Sequence, residues 1–343
     1  MRCARSSIVA GLAAALVGLA GFASPAAGGP RPLAASPGPA EQPQSIALGA
    51  DGALWFTSDS SIGRYSSIGR ITTKGKITIF TSRGIVGPGG ITAGPDGALW
   101  FTDGPTSIGR ITTSGKVTIF TAKGIDDPEG ITAGPDGALW FTNGYGSIGR
   151  VTTAGKITIF RNTQVNQPED IAAGPDGDLW FTNDSTSGLY GTIGKMTTKG
   201  RVTILTGTGV DEPGGIALGP DGALWFTNGA TSLARITAAG EISVFNGTGA
   251  GSAPASIDDP LAITAGPGHA LWFTDGGGAI GRMTTAGKVT AFYGTGIDDP
   301  KGIAAGPDGA IWFTNGTSSI GRITPSGKVT IFSSRSLASP APS

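Results

Sequence analysis

Cysteine and histidine are almost missing: one of each in 343 residues. Cys3 precedes an apolar N-terminal run, so removing that run leaves a chain without a thiol. Disulfides, Cys–His zinc centres and Cys–His nucleophilic catalysis are therefore not expected. Charge is also sparse. Asp, Glu, Lys and Arg make up 14% of the chain, with 24 basic residues against 24 acidic. No basic excess is present to attract a nucleic-acid backbone, and no nucleic-acid partner is expected. A Gly-x-Ser-x-Gly nucleophile elbow is absent as well. The apolar run Ile8 to Phe22, about 15 residues, is short for a membrane span.

Glycine is abundant at 60 residues, and each of the 7 Trp falls in a copy of one pattern. Gly-Ile-Thr-Ala-Gly-Pro-Asp-Gly-Ala-Leu-Trp-Phe-Thr at Gly90 to Thr102 returns unchanged at Gly130 to Thr142. Looser copies end at Trp55, Trp180, Trp225, Trp272 and Trp312. A period near 40 residues marks a repeat architecture. In the second copy, alternation predicts strands over 91–93, 98–102, 107–112 and 117–120. Gly94-Pro95-Asp96-Gly97 and Thr113-Ser114-Gly115-Lys116 are the turns, since Pro presets one dihedral and Gly accepts positive φ. Leu99 and Phe101 fall on one face and Trp100 on the other. Four short antiparallel strands with two apolar faces make a blade, so the fold class is all-β, a seven-bladed β-propeller. No Gly-His combined with a Trp-Asp occurs, so the WD type is not indicated. The last copy supplies its own fourth strand. The ring is thus expected to close blade against blade.

Arg2 and Arg5, the apolar run and the small-residue exit Ala23-Ser24-Pro25-Ala26-Ala27 form a signal peptide over 1–27. A Pro/Ala/Gly-rich linker follows over 28–43. The propeller occupies 44–335 and a tail 336–343. The expected product is secreted or periplasmic, monomeric, and has no membrane span after signal removal.

The unit, with its Ile-Gly-Arg-Ile-Thr and Gly-Lys-Ile-Thr-x-Phe strands, resembles the virginiamycin B (streptogramin B) lyase family over residues 44–332. The resemblance implies a seven-bladed propeller that opens the ester of a cyclic depsipeptide antibiotic by elimination, with Mg²⁺ on one face. It also implies a His directly after the Pro that leads into a first strand, and a Glu after Trp-Phe-x. Elimination needs a base for the proton beside a carbonyl, and a metal steadies the oxyanion. The chain departs from both positions. After the linking Pro stand Gln44, Gly89, Glu129, Glu169, Gly214, Leu261 and Lys301. After Trp-Phe-Thr stand Ser58, Asp103, Asn143, Asn183, Asn228, Asp275 and Asn315. The sole His, His269, lies in the turn Gly266-Pro267-Gly268-His269, where other copies carry the turn Asp, on the opposite face.

The leading expectation is a binding or scaffold module without lyase activity. The alternatives are a lyase-type enzyme with an altered site and a metal-dependent lactonase-like hydrolase. The longest loops and many acidic residues fall on the face of the inter-blade links. There a small molecule, peptide or protein is the expected partner. Asp103, Asn143, Asn183, Asn228, Asp275 and Asn315 are its candidate binding residues, expected as a ring beside the axis. Oxygen donors of this kind suit a hard divalent cation, Mg²⁺ or Ca²⁺, with Asp103 and Asp275 as the charged ligands. Asn and Asp are equally turn formers, and a structural role is the plain alternative.

Overall fold

The computed structural model describes residues 42–59, 66–144, 146–183, 191–247, 257–316 and 318–333. The chain divides into a unit of residues 1–36 and a unit of residues 37–343, and all described residues lie in the second. The signal peptide and C-terminal tail expected from the sequence, and the linker up to residue 41, lie outside them.

Seven four-stranded antiparallel sheets follow one another along the chain, each built from four consecutive strands. Among the described residues no strand is exchanged between the first and last blades. In the second blade the inner strand is Pro88–Ala93, the second Leu99–Asp103, the third Ser107–Ile111 and the outer Val117–Thr121. The inner strand starts before the alternation does, because Pro88 pairs with Asp103 across a bulge that ends at Ile91. An extra residue on one side of such a pair bends the strand without breaking the ladder.

The period-2 pattern sets the packing between blades. Trp100 faces forward into a cluster with Leu139 and Phe141 of the third blade, and Leu99 and Phe101 face back toward Trp55 of the first. The same interface closes the ring, where Trp312 packs against Leu54 and Phe56. All seven Trp are fully buried. Truncating such a side chain to Ala costs about 3–5 kcal/mol. Close approach favours a glycine in the third strand of six blades, and the fifth has Ala234 there. A Cβ at Gly109 would stand 2.0 Å from Cζ of Phe101.

Each Trp is held from the turn side. Asp96 Oδ1 accepts the indole N–H of Trp100 at 3.0 Å, and Oδ2 accepts Nε of Arg110 at 2.6 Å. The guanidinium then lies 5.8 Å from the Trp100 ring, whose centroid is 5.3 Å from that of Phe120 on the outer strand. Burial works to raise the Asp96 carboxyl, but the bonds from Trp100 and Arg110 outweigh it and hold the group below the usual carboxylate range. Asp51, Asp136, Asp221 and Asp308 repeat this arrangement.

The sixth blade departs from it. By register Gly268 takes the Asp position, and His269 takes that of Gly97, which has φ +74°. His269 therefore does not stand at the turn-Asp position expected from the sequence. Gly268 and His269 are both left-handed, at φ +81° and +51°, in a three-residue turn closed by the Gly266–Ala270 pair, and Pro followed by a left-handed Gly suits its first half. Arg282 is left without a carboxylate, and its buried Nε has no hydrogen-bond partner among the described residues.

Candidate functional site: the axial cavity and the link face

The inner strands surround an axial cavity of about 490 Å³. Its wall includes small side chains such as Ala47, Thr92, Thr132 and Ala172. Small residues let the strands converge near the axis. A threonine relay binds the strands around it. The Thr102 hydroxyl accepts the backbone N–H of Gly90 in its own blade at 2.9 Å and donates to the carbonyl of Glu129 in the next at 2.9 Å. Thr57, Thr142, Thr227, Thr274 and Thr314 also donate to the following blade, at 2.7 to 3.3 Å. The acceptor in each case is the carbonyl of the residue after the linking Pro. Those residues, Gln44 to Lys301, are thereby fixed at the link-face end of the inner strands. Lys301 Nζ donates to Oε1 of Gln44 at 3.4 Å across the closure.

In the fourth blade Thr182 still accepts the inner-strand N–H, from Asp170 at 3.0 Å, but a carboxylate makes the link to the next blade. Asp170 stands where Gly90, Gly130, Gly215 and Gly302 stand elsewhere. Its Oδ1 accepts the N–H of Ile171 at 2.8 Å, and its Oδ2 reaches the next blade to accept the N–H of Ile216 at 2.9 Å. The residue keeps partial exposure toward the cavity, while its carboxyl is enclosed by the inner strands. Desolvation there pushes it up to about 6, against the two backbone bonds. Asp170 is the only carboxylate in the described wall of the cavity. It is not among the candidates expected from the sequence, and the available signal was a carboxylate in a column of small residues that is Gly in four blades.

The six candidate residues after Trp-Phe-Thr are all buried, and they lie one strand away from the axis. The linking Pro pairs with each of them and stands on the axial side, as Pro88 does with Asp103. They do not line the cavity. Each secures its own link instead. Asn143 Oδ1 accepts the N–H of Asp126 at 2.8 Å, while its amide donates to Gly124 O at 3.0 Å and to the Ser147 hydroxyl at 2.7 Å. Asn183, Asn228 and Asn315 make the same accepting bond, to Asn166, Asp211 and Asp298. Asp103 Oδ1 accepts from Val86 and Gly87 at 2.9 and 3.2 Å. Asp275 accepts from Asp258 and Gly277 at 3.2 and 3.0 Å. Desolvation raises both carboxyls, and for Asp275 the like charges of Asp258 and Asp259 add to the rise. Asp103 and Asp275 belong to the second and sixth blades. Among the described residues no three His, Cys, Asp or Glu side chains gather as a cation cage.

The clamp shapes what the link face presents. The residue before the linking Pro is left-handed at Gln42, Asp127, Gln167, Glu212, Asp259 and Asp299, with φ between 39° and 54°. This conformation is uncommon for non-Gly residues and best tolerated by Asp and Asn. With the first residue of each link held by its N–H and the second turned left-handed, both project outward. Asp126 and Asp127, Asp211 and Glu212, Asp258 and Asp259, and Asp298 and Asp299 are all exposed.

Seven complete blades around a narrow axis define the class of protein, a β-propeller. The virginiamycin B lyase family model matches residues 32–161 and 122–340, and the chain belongs to that family. No curated protein matches it. Among solved structures it is similar to hydrazine synthase of Kuenenia stuttgartiensis, with 15% identity, a TM-score of 0.68, and coverage of 90% of this chain and 99% of that one. It is also similar to PorZ, a surface component of the type-IX secretion system of Porphyromonas gingivalis, with 14% identity, a TM-score of 0.64, and coverage of 88% of this chain and 48% of that one. The WD40 propeller domain of Doa1 matches at 11% identity and a TM-score of 0.63, over 87% of this chain and 94% of that one. At these identities the likeness is one of fold. No helix among the described residues is long and apolar enough to cross a membrane.

Proposed function

We propose that the protein is an exported binding module of the lyase family, which takes a basic ligand on its link face and does not turn over cyclic depsipeptides. The observation that carries this reading is the set of four exposed acidic pairs on the links of the third, fifth, sixth and seventh blades. Asp275 beneath one of these pairs is raised chiefly by burial, and the like charges of Asp258 and Asp259 add to the rise. A surface of one sign concentrates ligands of the other and steers their approach. The residues after each linking Pro, none of them His, support the absence of turnover.

The test is titration of the purified protein with an oligolysine peptide and an oligoglutamate peptide, at low and high salt. The expected result is binding of oligolysine only, weakened by salt, and reduced at least about tenfold when Asp126, Asp127, Asp258 and Asp259 are changed to Asn. Equal binding by parent and variant, or no binding of oligolysine, refutes the reading. Export is checked by the mass of the mature chain, which should lack the residues before a cut near Ala27.

A second reading is favoured by Asp170. A carboxyl held near 6 is a competent general base at neutral pH. In that reading the protein is a lyase-family enzyme whose base has moved to the axial wall.

A further inference from the structure

The seven blades are near copies, so positions where one blade departs from the rest are informative when they meet in space. Four departures meet in the fourth blade on the turn face, away from the links. Asp178 replaces the Ala98-type residue, Lys195 the Arg110-type residue and Leu205 the Phe120-type residue, each in this blade alone, and Arg201 replaces the Lys116-type residue, which the fifth blade also changes, to Glu241. All four line one cavity of about 360 Å³ at the junction with the fifth blade. This is within the size range of small-molecule sites.

The origin of the cavity is the missing ring. In the other six blades the outer-strand Phe stacks on the blade's Trp, with centroids 5.0 to 5.5 Å apart. The same ring covers the next blade's turn. A Cβ on Gly115 would meet Phe80 at 2.4 Å, and one on Gly155 would meet Phe120 at 2.3 Å. Leu205 is shorter, and the corresponding distance at Gly240 is 3.2 Å. The turn at Ala238–Gly240 is left as the far wall.

Two carboxylates and two cations surround this space, but they pair unevenly, since both carboxylates go to one cation. Lys195 Nζ is held by Asp176 at 2.6 Å and Asp178 at 3.4 Å. The Arg201 side chain has no carboxylate partner among the described residues. Leu205, Ala238 and Ala239 on one side, and the exposed Arg201 guanidinium beside Thr197 and Thr203 on the other, suit a planar apolar body bearing an anion.

We infer that this cavity binds a small aromatic carboxylate, its ring against Leu205 and its carboxylate against Arg201. The site is independent of the link-face reading and of any chemistry at the axis. Phenylacetate is the probe, titrated into the mature protein by calorimetry, with acetate and benzyl alcohol as controls. Leu205→Phe restores the residue that six blades already carry, so it keeps the fold while filling the cavity. Arg201→Gln removes the charge and leaves the space. The expected result is a Kd for phenylacetate below about 1 mM, with both controls and both variants weaker by at least about tenfold. Binding unchanged by Leu205→Phe, binding unchanged by Arg201→Gln, acetate binding as well as phenylacetate, or no binding to the parent at about 10 mM each overturns the inference.

Discussion

The hydroxyl of Thr314 donates to the carbonyl of Gln44 at 3.1 Å, joining residues 270 positions apart. Thr102 makes the same bond to Glu129, only 27 positions away. The ring therefore closes with the hydrogen bond it uses between neighbours, and closure differs only in the length of chain between the two groups.

Thr314→Val is expected to lower stability by about 1–3 kcal/mol, because it leaves Gly302 N–H and Gln44 O without their shared partner in a packed interface. Thr142→Val should cost a similar amount. Thermal melts of the two variants check this. A loss confined to Thr314 would mean that closure is energetically unlike the other junctions.

Acid and base act on different carboxylates. Asp170, raised to about 6 by burial, contributes stability that is fully present below its ordinary value of 3.8 and is lost as pH rises through about 6. Asp103 and Asp275 act in the same sense. The turn carboxylates, lowered overall by Trp and Arg against the opposing effect of burial, act in the opposite sense. Their contribution is present above 3.8 and is lost as pH falls through their folded values. Stability should peak in mildly acidic solution. Asp170→Asn should flatten the slope between about pH 4 and 7, as denaturant titrations at several pH values would show.

The Arg282 orphan can be corrected from within the protein. Gly268→Asp with His269→Gly rebuilds the turn of the other blades and gives the guanidinium its carboxylate. A gain on the order of 1 kcal/mol is expected, read as a higher melting temperature. Gly268→Asp alone should not give it, because φ at Gly268 is +81°. No gain from the double change would show that the turn, not the missing Asp, sets the cost.

Asn stands at the clamp position of Asp103 in four other blades. Asp103→Asn is expected to be neutral or stabilising by about 1 kcal/mol, since it removes a desolvated charge and adds an amide donor toward its link. Calorimetry with Ca²⁺ and Mg²⁺ on the parent and on Asp103→Asn with Asp275→Asn asks whether these carboxylates hold a cation. With their oxygens occupied by backbone N–H groups, the two proteins should give the same heats.

A streptogramin B antibiotic incubated with the protein and Mg²⁺ should keep its ring closed, as mass spectrometry would show. Ring opening that disappears in Asp170→Asn would replace the binding-module reading with the axial-base one.

The strands and their faces were legible because they depend on local alternation: Leu99, Trp100 and Phe101 went where a period of two sends them. The residues after Trp-Phe-Thr were not, because their partners lie 17 and 19 positions back in the link. Nothing in a single copy shows that Pro88 stands between Asp103 and the axis. Asp170 and Leu205 were visible as breaks in columns of Gly and Phe. What those breaks meant was not, since it depends on Ile216 and Gly240 in the neighbouring blade. His269 was misplaced by one position because the sixth turn changes two adjacent residues at once.

Each unit of sequence ends where its sheet ends, so the coding unit and the folding unit coincide. The stretches at Gly90 to Thr102 and Gly130 to Thr142 are identical in sequence, so joining one to the other would splice the chain at equivalent points of neighbouring blades. Such an event deletes or duplicates a whole blade and leaves the reading frame and every remaining Trp-to-Phe interface intact. A change in blade number made at this repeat therefore needs no intermediate that carries a partial sheet.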